Sequence, residues 1–268
     1  MEQVLIAILL GIVEGVTEFL PISSTGHLIL LIDILGFDAP KGKVFEIVVQ
    51  LGAILAICVL FKQKILEVLL HLHNRKASRL LALKIIIAFL PAAIGGALLH
   101  SFIKHHLFSP IIVSTMLVVG GLIILIVERI KPLERISQIE EITLKQAGII
   151  GICQAIAMIP GTSRSGATMM GSLMLGINRK TAAEFSFLLA IPTMLAATLY
   201  DIYKNYHHLN FDDAQIIGIG FISAFISALL AVRFLLNFLS NHGFAPFAYY
   251  RIALGAIMLA ILGNYILN

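Results

Sequence analysis

Charged residues are scarce in this chain: they make up 13% of its 268 residues, whereas apolar residues make up 59%. The mean hydropathy of +0.98 places the chain among polytopic membrane proteins. Cysteine is nearly absent, and Cys58 and Cys153 lack metal-ligand spacing, so we expect ordinary buried thiols rather than a metal centre. The first residues lack a basic start and a small-residue cleavage site, so we expect no removable signal peptide.

Six apolar runs are long enough to cross a bilayer as helices, at residues 44–61, 80–102, 110–127, 184–200, 214–232 and 252–268. Two further apolar segments, at 3–32 and 146–163, are interrupted by charged residues or by Pro and Gly. Broken segments in matching positions of two halves are typical of re-entrant hairpins. We therefore predict an all-α polytopic membrane protein with six transmembrane helices and two re-entrant helical hairpins.

The two broken segments contain an internal repeat. Residues 11–27 and 151–166 align at an offset of 140 positions, which pairs Gly11 with Gly151, Glu14 with Gln154, Ser23 with Ser163, and Gly26 with Gly166. Three crossings in each half would insert the second half upside down relative to the first. We therefore predict one transmembrane domain, residues 1–268, built from inverted repeats at about 1–130 and 144–268. Their hairpins would meet near the middle of the membrane.

The distribution of basic residues predicts the orientation. Loops 62–79, 128–143 and 236–246 together hold eight Lys or Arg residues, whereas the opposite loops hold four: Lys41, Lys43, Lys104 and Lys204. The positive-inside rule makes the first set cytoplasmic. The net charge of +4 suits loops that face anionic headgroups, so it requires no nucleic-acid partner.

Two carboxylates in the first hairpin are candidate metal ligands. Charges at membrane depth are costly, so they indicate function by default. Glu14 and Glu18 are four residues apart and share one face of a helix. Two carboxylates held close together resist ionising, and a hard divalent cation, Mg²⁺ or Ca²⁺, would relieve this and bridge to phosphate oxygens.

Both hairpins contain a hydroxyl-rich turn that suits an anion. Pro21 ends a half-helix, and the Ser/Thr run after it suits the N-cap of the next one. A helix that begins there directs free N–H groups at an anion, and glycine lets the ligand approach the backbone. Arg164 adds a planar fork suited to phosphate. The predicted substrate-binding residues are Ser23, Thr25, Gly26, Ser163, Arg164, Ser165 and Gly166.

The first turn also holds a candidate nucleophile. Ser24 is the preferred hydroxyl, with His27 or Glu18 as its proton acceptor. Attack by His27 itself and attack by a metal-bound water remain open alternatives. In each case Arg164 would stabilise charge on the transferring phosphoryl group. The predicted catalytic residues are therefore Glu18, Ser24, His27 and Arg164.

Glu46 and Glu184 lie near the start of the helix after each hairpin, at an offset of 138. Hydrogen bonds that hold each hairpin to its helix are favoured for this pair over a direct role in the site.

These motifs resemble those of the bacterial undecaprenyl-diphosphate phosphatases, the BacA/UppP family. The resemblance is carried by residues 14–27 and 160–166, with further similarity at 45–52 and 184–190, and it covers essentially the whole chain. It implies removal of the terminal phosphate of undecaprenyl diphosphate, which recycles the lipid carrier for peptidoglycan synthesis. It also implies dependence on a divalent cation, bacitracin resistance, and a site in the inner membrane that opens to the outer face.

A transporter is the rival class, because inverted repeats, broken helices and a midplane anion site also build many secondary transporters. A lipid-phosphate flippase needs Arg164 and the helix N-termini, but it has no evident need of a nucleophile and base. The oligomeric state is not fixed by the sequence, and a homodimer is one open alternative.

Overall fold

The computed structural model describes residues 2–37, 44–205 and 214–267. Within these ranges the regular elements are helices, apart from one isolated bridge between Ile136 and Ile177. The α-helices are α1 Glu2–Phe19, α2 Ser24–Leu35, α3 Val44–Leu60, α4 Lys62–His71, α5 Lys76–Phe102, α6 Pro110–Ile130, α7 Leu144–Ile156, α8 Arg164–Met174, α9 Arg179–Asn205, α10 Ala214–Phe238 and α11 Ala245–Leu267. Short π and 3-10 segments lie at Ile103–Leu107 and Ile139–Glu141. Lys41 and Lys43, which the orientation argument uses, lie outside the described residues.

Five helices, α5, α6, α9, α10 and α11, are long and apolar enough to cross a membrane. Helix α3 becomes a sixth span when it is counted with α4, which follows it at a bend of 74°. The prediction of an all-α polytopic membrane protein is confirmed.

The prediction of a loop over residues 62–79 is wrong at both ends, because Lys62–His71 forms helix α4 and helix α5 already begins at Lys76. Ile65 and Val68 are spaced for one helix face, and both pack against the main apolar core. That amphipathic spacing stabilises a helix on the surface where charge content alone suggested a loop.

The two halves use corresponding packing partners. Helix α1 packs against α10, and its counterpart α7 packs against α5, while α6 packs against α11. The repeated glycines explain the close approach. A Cβ added at Gly11 would lie 2.4 Å from the carbonyl oxygen of Gly220, and one added at Gly151 would lie 2.5 Å from that of Ala88. The same device therefore joins each broken segment to a long helix.

Polar contacts join the three loops predicted to be cytoplasmic. Lys64 forms an ion pair with Glu140, and Arg179 donates to both carboxylate oxygens of Glu128 at 3.1 and 2.9 Å. Glu128 also accepts from the backbone N–H of Phe244 at 3.0 Å. Burial raises the pKa of Glu140, but the hydrogen bond from Lys64, a backbone hydrogen bond and the positive charges of Lys64 and Lys84 together hold that pKa below its usual value. These loops therefore lie together on one side of the molecule.

Candidate active site

The two hydroxyl-rich turns have the same unusual backbone. Ser23 has φ 68° and Ser163 has φ 73°, and each immediately precedes a helix, α2 or α8. The left-handed region is rare for residues other than glycine and costs on the order of 1–2 kcal/mol, so it persists only where the surrounding structure imposes it. The strain occurs at the two positions that the sequence repeat pairs with each other.

The helix start in the second turn is capped as predicted. The Ser163 hydroxyl accepts from the N–H of Gly166 at 3.1 Å. Gly161, with φ +91°, lets this turn pass close to α6, because a Cβ there would lie 2.4 Å from the carbonyl oxygen of Val113. The Ser165 hydroxyl and Arg164 bond to Leu20 and Glu18 of the first hairpin, so helices α2 and α8 begin close together, an arrangement that favours anions.

Glu18 links the predicted nucleophile to the predicted phosphate ligand. The Ser24 hydroxyl donates to Glu18 Oε2 at 2.5 Å, and Arg164 Nη2 donates to Glu18 Oε1 at 3.1 Å. The side chains of Glu18 and Arg164 are only 9% and 13% exposed, so water screens this ion pair little. Three residues from the two halves of the chain therefore form one chain of hydrogen bonds.

The Arg164 guanidinium is held on several sides, but one of its nitrogens has no hydrogen-bond partner. Nη1 donates to the carbonyl oxygen of Ser186 at 3.1 Å, and Nη2 also contacts the sulfur of Met194 at 3.4 Å. The Phe19 ring lies beneath the guanidinium at 5.7 Å. Nε is buried and has no hydrogen-bond partner. A phosphate oxygen is the kind of acceptor that would satisfy it.

His27 is buried in the same region, but its ring nitrogens bond elsewhere. Nδ1 lies 2.7 Å from the carbonyl oxygen of Ser23, so it must carry a proton. Nε2 lies 2.7 Å from the Tyr250 hydroxyl, whose ring stacks on the imidazole. Of the two proton acceptors predicted for Ser24, Glu18 is the one that accepts a hydrogen bond from its hydroxyl.

Four other predicted substrate-binding residues lie in or beside the two turns. Ser165 is fully buried and donates to the carbonyl oxygen of Leu20 at 2.9 Å, so it ties one turn to the other. A Cβ on Gly26 would lie 3.2 Å from the side chain of Leu117, so this turn packs tightly against α6. Thr25 is half-buried. Ser23 contributes its carbonyl oxygen to His27.

Glu14 lies one turn before Glu18 and is only 3% exposed. Its Oε2 has no hydrogen-bond partner, and the same is true of Glu46 Oε2. A buried carboxylate oxygen without a partner is costly, and a hard cation would satisfy it. The described residues contain no cluster of three or more metal-ligating side chains. The donor set therefore fits a cation that takes one or two carboxylates and completes its shell with phosphate and water.

Two site residues were missed by the sequence reasoning, Tyr250 and Arg251. The predicted span began at residue 252, whereas α11 begins at Ala245 and turns both side chains toward the hairpins. An arginine immediately before a long apolar run was the available signal. Its hydrogen-bond partners lie 89 to 230 positions away, so sequence spacing could not reveal them.

Comparison with known proteins yields one family and many relatives. The family model for the bacitracin resistance protein BacA matches residues 7–257. The undecaprenyl-diphosphatase of Methylobacillus flagellatus is 54% identical over 259 residues, covering 95% of this chain and 96% of its own. Undecaprenyl-diphosphatase 2 of Paramagnetospirillum magneticum is 52% identical over 256 residues, covering 96% and 98%. Undecaprenyl-diphosphatase 2 of Shewanella oneidensis is 54% identical over 258 residues, covering 95% and 97%.

Proposed function

This chain belongs to the BacA family of bacitracin resistance proteins, and we propose that it is the enzyme that removes the terminal phosphate of undecaprenyl diphosphate. The products are undecaprenyl phosphate and inorganic phosphate, so the lipid carrier returns to peptidoglycan synthesis. The observation that carries the proposal is the hydrogen-bonded chain from Ser24 through Glu18 to Arg164. A hydroxyl can serve as the nucleophile of phosphoryl transfer, the adjacent carboxylate as its proton acceptor, and the arginine as the ligand of the phosphoryl oxygens.

In the proposed mechanism, Ser24 Oγ attacks the terminal phosphorus while Glu18 Oε2 takes the hydroxyl proton. The bond between that phosphorus and the bridging oxygen breaks, and undecaprenyl phosphate leaves. Water then attacks the phosphoserine and releases inorganic phosphate. Arg164 and the first-turn N–H groups of α2 and α8 stabilise the charge on the phosphoryl oxygens.

Glu14 and Glu18 are the residues that would hold a divalent cation, Mg²⁺ or Ca²⁺. The unpartnered Oε2 of Glu14 supports this assignment. A bound cation would supply charge neutralisation for the diphosphate. Because Glu18 already accepts from Ser24 and Arg164, Glu14 is the carboxylate with the freer oxygen.

An apolar groove between α1 and α10 suits a substrate with a long isoprenoid tail. Its lining is almost entirely hydrocarbon, with Ile12, Leu20, Ile226 and Leu230 among the contributors. Leu20, one of the lining residues, directly precedes Pro21 and the nucleophile turn, so one end of the groove lies next to that turn along the chain. A tail held there keeps its contact with lipid while the diphosphate enters the turns.

The bacterial inner membrane, with the site open to its outer face, is the proposed location. The loop charge bias and the gathering of the basic loops on one side support it. A homodimer stays a prediction, which light scattering in detergent tests against the single-chain mass of 29.2 kDa.

The proposed activity is tested by phosphate release from C15 and C55 prenyl diphosphates by the purified protein, with and without EDTA. We expect release that EDTA abolishes and that added Mg²⁺ or Ca²⁺ restores. Well-folded protein that binds the lipid but releases no phosphate would overturn the proposal and favour the transporter.

A further inference from the structure

Arg251 on α11 is almost fully buried, with 1% exposure, and its guanidinium lies between the two turns. Nη1 donates to the carbonyl oxygen of Pro21 at 3.2 Å. Nη2 donates to the carbonyl oxygens of Gly161 and Thr162 at 2.9 and 3.0 Å. One side chain from a third element therefore bonds to both turns at once.

The same guanidinium is anchored to α6. Nε donates to the carbonyl oxygen of Leu117 at 3.0 Å, and Nη2 approaches that of Met116 at 3.1 Å. Gly120 makes room for it, because a Cβ at that position would lie 2.3 Å from Nη2. The Arg251 guanidinium therefore occupies a space that Gly120 leaves open, and backbone carbonyl oxygens of α6 and of both turns point toward it.

All five acceptors of Arg251 are backbone carbonyl oxygens, and no carboxylate among the described residues is within ion-pair distance of it. A buried charge is costly unless hydrogen bonds satisfy it, and buried carbonyls without donors are costly as well. Here the guanidinium donates to the buried carbonyl oxygens, and the carbonyl oxygens in turn stabilise its charge. The bonds therefore depend on both turns being in their observed positions.

The acceptors of Arg251 in the two turns lie a few residues before Ser24 and Arg164 in the chain. Pro21 is three residues before Ser24, and Thr162 is two residues before Arg164. We propose that Arg251 is a positioning residue, which sets the separation between the nucleophile turn and the phosphate-binding turn without touching the substrate. This inference rests on the proposed function, because it assigns Ser24 and Arg164 to the same reaction.

Arg251→Lys tests the proposal while keeping the charge. A single ammonium cannot reach both turns and α6, because its three donors radiate from one atom. Since misplacement of reacting groups by about 1 Å can cost about 100-fold in rate, we expect kcat to fall at least tenfold, with KM changing less than threefold. The matched control is Arg179→Lys, which removes a guanidinium that makes three hydrogen bonds on the loop side of the molecule. That variant should keep wild-type kcat.

Gly120→Ala is a second variant, because it displaces the guanidinium without removing it. We expect it to lower kcat as Arg251→Lys does. Hydrogen–deuterium exchange supplies a readout independent of activity: peptides covering residues 20–27 and 161–168 should both exchange faster in Arg251→Lys and not in Arg179→Lys. Wild-type exchange in both peptides would overturn the inference, and so would wild-type kcat. An inactive wild type would instead refute the proposed function, and the exchange data would still decide whether Arg251 holds the turns.

Discussion

Glu18 is the residue on which the site's geometry converges. One of its oxygens accepts from Ser24 and the other from Arg164, so the carboxylate is fixed in orientation toward the hydroxyl. His27 has no such relation to Ser24, because both of its ring nitrogens are engaged by Ser23 and Tyr250. If Glu18 is the base, its substitution should lower kcat more than that of His27, and if His27 is the base the order should be reversed.

Glu18→Gln keeps the size of the side chain but removes the proton acceptor. General bases contribute about 10²–10⁴-fold to rate, so we expect kcat for phosphate release to fall at least 100-fold. His27→Gln should lose less than about tenfold, since it perturbs packing rather than proton transfer. A larger loss in His27→Gln than in Glu18→Gln would return the role of base to His27.

Arg164→Ala should lower kcat and raise KM together, because phosphate contacts are shared by the bound substrate and the transition state. The same change removes the ion pair to Glu18, which is only 9% exposed. Arg164→Lys keeps the positive charge but loses the planar guanidinium, so its kcat and KM should lie between those of the wild type and Arg164→Ala. Steady-state kinetics over a range of lipid concentration would separate the two constants. An unchanged KM in Arg164→Ala would contradict the phosphate contact.

The pairing of Ser24, Glu18 and Arg164 could be predicted from residue types, because few polar groups occur in so apolar a chain. Which acceptor serves Ser24 could not be predicted, since the choice depends on Tyr250, which lies 223 positions from His27. Ser165 was predicted to bind substrate, whereas its hydroxyl bonds to the carbonyl oxygen of Leu20. Residue type therefore located the site, and tertiary contacts decided what each residue does there.

At the scale of elements, the repeat of Gly11 and Gly151 joins each broken segment to a long helix. The two glycines make equivalent close contacts with the backbones of α10 and α5. The sequence offset predicted the equivalence of the turns, and Ser23 and Ser163 share the same positive φ. Helix α4 was not predicted, because residues 62–79 were assigned as a loop from their basic residues alone.

Gly11→Ala and Gly151→Ala should each destabilise the protein, because a methyl group would lie 2.4 or 2.5 Å from a carbonyl oxygen. Overpacking of this kind costs about 1–3 kcal/mol, so we expect a lower midpoint of thermal unfolding in detergent for both variants. Gly218→Ala is the control, since a Cβ on Gly218 meets nothing within 4 Å. Equal midpoints for all three variants would refute the close contacts.

At the scale of the whole molecule, the architecture brings two turns from opposite halves of the chain to one reaction site. Contacts among residues 64, 128, 140, 179 and 244 hold the basic loops on one side. Five of the described helices, or six with the bent pair α3 and α4, are long and apolar enough to cross a membrane. The number of membrane-spanning helices could be predicted from hydropathy alone. The contacts that Tyr250 and Arg251 of α11 make with the turns became visible only in the folded structure.

Cysteine labelling tests the orientation. In a Cys58→Ser/Cys153→Ser background, which we expect to stay active, single cysteines replace the exposed residues Asn74 and His105. A membrane-impermeant maleimide applied to the outer face should label His105→Cys, and it should label Asn74→Cys only after lysis. The reverse pattern would invert the proposed topology.

The most direct test of the account is the rate of phosphate release by Ser24→Ala beside wild type and Ser114→Ala. Ser114 is another buried serine, and its hydroxyl donates to the carbonyl oxygen of Pro110 rather than to Glu18. We predict that Ser24→Ala still binds the prenyl diphosphate but releases no phosphate, while Ser114→Ala keeps the wild-type rate of phosphate release. Substantial release by Ser24→Ala would contradict the account and assign the attack to His27 or to water.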